Sequence, residues 1–157
     1  MATTPDPWFV TERSEALTRV WLTNRPDVHV RGERRLEDRL LLYVEIGSGD
    51  PLSAQQFVVQ VKGALSADPN EWLRMVEPWF GHPDQPIWLP MCVIVVNVRE
   101  NKAFYSWLAE PHVEGDTPVL RSTLSPTFHP LDAAAIDEIV DQVKAWYQAL
   151  PRQLLPA

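Results

Sequence analysis

An α/β fold, with helices on the faces of a mixed sheet, follows from three features of the sequence. Apolar strand-like runs come in pairs around short turns, at 39–63 and again at 87–110. Apolar residues recur at helical spacing in three other stretches, before Pro26, after Asp68 and after Asp132. The resulting order is helix, strand hairpin, helix, strand hairpin, helix, which buries one sheet between layers of helix.

The elements follow in turn. Residues 1–10 form an irregular arm, since Pro5 and Pro7 oppose a helix there. A helix begins at Thr11 as N-cap, with Glu12 and Glu15 in its first turn and Leu17, Val20 and Trp21 marking the buried face. Pro26 ends it. "VHV" at 28–30 is a short strand and "RLLLYVEI", 39–46, a stronger one. "GSGDPLSA", 47–54, is the turn into "QFVVQVKG", 56–63. A second helix starts at Asp68, with Pro69 in the first helical position and Glu71 completing a capping box. Trp72, Met75, Val76 and Trp79 are its buried side. "HPDQP" is a loop. The run 87–98 is unbroken in apolar residues at Val93–Val96, as a strand buried on both faces requires. "RENK" turns the chain into a strand at 103–110. Pro111, Pro118, Pro126 and Pro130 make 111–131 an irregular connection. The last helix covers 132–150, with Ile136, Ile139, Val140, Val143, Trp146, Tyr147 and Leu150 as its stripe and acids loading its N-terminal half.

All of this fits one domain, 1–157, long enough to bury its own core. No apolar run reaches the ~20 residues of a membrane helix, and no signal peptide is visible, so the expected location is cytoplasmic. The single cysteine, Cys92, provides neither a disulfide framework nor a zinc cluster. Net charge is −7, which disfavours nucleic acid as a partner, because phosphate binding needs a basic surface. One arginine-rich stretch, "VRGERRLEDR", holds Arg31, Arg34, Arg35 and Arg39, but Glu33, Glu37 and Asp38 offset them, so it is expected to be a salt-bridged loop. His29, His82, His112 and His129 are scattered and expected at the surface rather than on a metal. "GSGD" lacks the helix and lysine of a phosphate loop. Trp8, Trp88 and Trp107 lie off the buried stripes and are candidates for an exposed patch that meets a protein partner.

The strand 56–63 carries the chemistry worth weighing. Side chains alternate along a strand, so Gln60 and Lys62 share one face while Phe57, Val59 and Val61 share the other. A helix bearing acids, a strand ending in Glu45, a strand carrying Gln-x-Lys and then another helix resemble the PD-(D/E)xK restriction-endonuclease-like superfamily. Within it, "ERSEALTRVWLTNRPDV", "LLLYVEI", "FVVQVKG" and "MCVIVVNVRENKAFYSWL" resemble the prokaryotic domain-of-unknown-function family four-three-six-five, over residues 9–110.

The resemblance implies a restriction-endonuclease-like core at 11–110 and a place in prokaryotic defence. It implies Lys62 and Gln60 as the catalytic pair, and Glu45 and Glu15 as metal ligands. The family strand reads Gly-[Ile/Leu]-Asp-x-x-x-Glu, and aligning it on Glu45 puts Leu41 at the position of the main metal-ligand aspartate. A bulge or shifted register bringing Asp38 or Glu37 into that place is the way around the gap. The expectation is therefore a catalytically degenerate module that binds a partner and needs no cofactor. The alternative is an active DNA nuclease using Mg²⁺ activated by carboxylates.

Overall fold

A computed structural model of the chain describes residues 7–36, 39–47, 55–80, 88–122 and 126–154, and the side chains of these residues up to 150. It is α/β, with one mixed seven-stranded sheet between helices. The elements are α1 (Trp8–Leu22), β1 (Val28–Arg35), β2 (Leu40–Ile46), β3 (Gln55–Ala64), α2 (Pro69–Val76), β4 (Met91–Asn97), β5 (Lys102–Glu114), β6 (Thr117–Ser122), β7 (His129–Pro130) and α3 (Ala133–Leu154). The strands lie in the order β1-β2-β3-β4-β5-β6, and β7 adds to β5. The β3–β4 pair is parallel, joined by the crossover through α2; the other pairs are antiparallel.

Parity divides the sheet into two faces. Phe57, Val59 and Val61 of β3 join Leu40, Leu42, Val44, Cys92, Ile94 and Val96 under α1 and α3, in one buried cluster with Ile136, Ile139, Val140 and Val143. On the other face, Ala64, Val93, Val95 and Leu108 pack under Trp72 and Val76 of α2 and Phe80 beyond it. The Trp72 ring lies 4.6 Å from Phe104 and 5.8 Å from Phe128, centroid to centroid, and its indole N–H donates to the Ser66 carbonyl.

Several sequence expectations are corrected. Residue Pro7, not Thr11, stands at the N-cap of α1, and no acid occupies the first turn. The buried line of α1 is Val10, Ser14, Thr18 and Leu22, while Val20 is exposed and Leu17 and Trp21 are partly buried. Ser14 and Thr18 tolerate burial because their hydroxyls donate to the Thr11 and Ser14 carbonyls of their own helix. Their small size brings α1 close to β3 at Gly63. The arginine-rich stretch is no loop up to Arg35: it is β1, antiparallel to β2, with a bulge between Val30 and Gly32. Residues 111–131 are not irregular throughout, because β5 runs on to Glu114, turns at Gly115 (φ 63) and returns as β6, and β7 follows. Pro118 is accommodated because β6 is the last strand of the path, where a missing N–H breaks no ladder on its outer side. At α2 the cap is Asp68, which accepts from the Asn70 N–H; its own N–H is taken by the Ser66 hydroxyl rather than by Glu71. Helix α3 continues through Pro151 to Leu154, past the expected end at 150. Of the tryptophans expected to form a patch, Trp8 and Trp88 are exposed and Trp107 is buried. Residues 48–50 of "GSGD", the "HPDQP" segment, His82, Glu37 and Asp38 lie outside the described residues. No helix among the described residues is long and apolar enough to cross a membrane.

The loop after α1 is tied to α3 by charge. Arg25 grips Asp27 through two hydrogen bonds of 2.9 and 3.0 Å and also pairs with Asp137. Lys144 stands 3.5 Å from Asp27. These partners, the Arg25 hydrogen bond foremost, hold the Asp27 carboxyl at about 2. A carboxylate with a depressed pKa contributes stability above its ordinary range and loses it as the pH falls toward the folded value. Asp27→Asn is therefore expected to lower the melting temperature at neutral pH, with the gap to wild type closing between about pH 4 and pH 2. A melting series across that window checks it; a gap that stays constant would show that the charge of Asp27 is irrelevant.

Candidate functional site

The register of β2 on β3 places the candidates. Leu41 lies directly opposite Gln60, and Glu45 opposite Gln56. Directly opposed residues share a face with Cβ atoms ~5 Å apart, so Leu41 is the nearest β2 neighbour of Gln60. Glu45 shares that face but stands four residues along β2 from Leu41. Gln56 and Lys62 stand six positions apart on β3, about 20 Å of extended chain. The structure thus keeps Glu45 away from Lys62. The Glu45 carboxylate is buried and meets Arg31, from the β1 bulge, at 3.2 Å.

Gln60 is 6% exposed. On β4 its opposite residue is Val93. Its amide nitrogen donates to the Met91 sulfur at 3.0 Å, and its amide oxygen has no hydrogen-bond partner among the described residues. A sulfur is a weak acceptor, so this amide is poorly satisfied for a group so deeply buried.

Lys62 and Glu15 line one cavity without meeting face to face: strand parity turns the Lys62 side chain toward the α2 face with Gln60, while Glu15 comes from α1 on the other face. That cavity, of about 260 Å³, lies at the end of the sheet, between the first turns of α1 and the β1–β2 connection, and is also lined by Thr11, Arg35, Arg39 and Gly63. Lys62 lines it from β3, next to Gly63, where α1 crosses the strand. Glu15 is not spare there. Arg35 grips it with two hydrogen bonds of 2.6 and 3.0 Å, a planar fork on a carboxylate. The hydrogen bond to Glu15, with its charge, raises the Arg35 pKa further. Arg39 lies over the Trp79 ring at 4.7 Å, a cation–π contact.

Arg35 and Arg39 are the cavity residues that sequence reasoning missed as such. The arginines were visible only as a charge-balanced stretch, and Trp79 only as part of a buried side. The pairing of Arg35 with Glu15 joins β1 to α1, and that of Arg39 with Trp79 joins the start of β2 to the segment after α2, neither of which a local pattern records. Burial pushes the Cys92 thiol up to about 12, so it is a core residue and not a nucleophile. Among the described residues no three His, Cys, Asp or Glu side chains gather closely enough to hold one metal ion. Comparison of the chain with protein-family models, with curated proteins and with solved structures gives no match.

Proposed function

We propose that the chain is a binding module on a restriction-endonuclease-like scaffold whose catalytic centre has degenerated. The observation that carries this reading is the pairing of Leu41 with Gln60. In the resembling superfamily, the β2 position beside the Gln-x-Lys strand supplies the central carboxylate; here it is a hydrocarbon. A hard cation such as Mg²⁺ is held by oxygen ligands and sheds water reluctantly, and Leu41 offers it none. The Arg35 fork on Glu15 supports the same reading, because a metal there would have to displace a guanidinium. The element order, acids on α1, Glu45 on β2 and Gln60 and Lys62 on β3 before α2, supports the scaffold. On this reading Lys62 serves binding or ion pairing instead of chemistry. The partner is a protein, as the net charge of −7 gives a polyanion nothing to approach overall.

A cleavage assay tests it. Plasmid and single-stranded DNA are incubated with the purified chain and Mg²⁺ or Mn²⁺, beside Lys62→Ala and Leu41→Asp. No cutting by the natural sequence is expected, and metal-dependent cutting gained in Leu41→Asp supports the degenerate site. Cutting by the natural sequence that vanishes in Lys62→Ala overturns it in favour of a Mg²⁺-dependent nuclease.

A further inference from the structure

We draw no further inference here: the strongest candidate, the buried Gln60 amide on β3 opposite Leu41, whose oxygen has no hydrogen-bond partner among the described residues, belongs to the site already described, and nothing in the structure shows what would meet it.

Discussion

Val143→Asp leaves the chain without a cooperative folded state. Val143 is fully buried in the cluster that α3 forms with the sheet, together with Ile139 and Val140 of the same helix. An aspartate there faces hydrocarbon with no cation to pair with, so it folds only by becoming protonated or by expelling the helix. The expected loss exceeds ~4 kcal/mol, the extreme for one substitution, and is a large share of the ~5–15 kcal/mol that holds a domain together. Ile139→Asp should do the same. Ile139→Val, which only removes a methylene, should cost ~1 kcal/mol and serves as the control. Chemical denaturation followed by far-UV circular dichroism reads all three. Full stability in Val143→Asp would mean that the stripe of α3 does not pack on this sheet.

A smaller atom has a comparable grip on the other helix of that face. Gly63→Ala is expected to destabilise by ~1–3 kcal/mol, the range for overpacking a tight contact, and Gly63→Val by more. A Cβ on Gly63 would lie 2.7 Å from Val10 Cγ1, 2.8 Å from the Val10 carbonyl oxygen and 2.9 Å from Ser14 Oγ. The first and last of these belong to side chains, but the carbonyl belongs to the backbone of α1 and cannot step aside without the helix. Because the same contact forms one wall of the cavity holding Glu15 and Lys62, the substitution should also loosen the Arg35–Glu15 fork. Urea midpoints for both variants check the stability. An Ala variant as stable as wild type would show that α1 rides over β3 with room to spare.

The contrast between those two positions explains what could be read in advance. The α3 stripe was legible because its burial is periodic: Ile136, Ile139, Val140, Val143 and Trp146 sit at helical spacing and all are buried. The β2–β3 hairpin and the shared face of Gln60 and Lys62 were legible because strand parity is a two-residue rule. The buried line of α1 was not, since Ser14 and Thr18 read as solvent-facing and only their internal hydrogen bonds make them fit for the interior. The β5–β6 hairpin hid behind prolines, which mark breaks in most contexts but are tolerated at the margin of a sheet. The candidate site was half legible. Lys62 and Glu15 do line one cavity, whereas Glu45 is drawn to Arg31 by a bulge that no pattern in "VHVRGERR" announces.

From β1 to β6 the strands stand in the sheet in the order in which they are synthesised. Each new strand therefore finds its partner already made, and only short loops must close, apart from the crossover through α2. The two helices of the shared face bracket that process. α1 is made before the strands and waits for β3 and β4, the ones it touches most. α3 is made after every strand it covers. Until it emerges from the ribosome, the Tyr105 and Trp107 side of β5 is an open apolar wall, the kind of surface on which nascent chains aggregate. The sheet assembles early, and its vulnerable interval lasts until α3 arrives to close it.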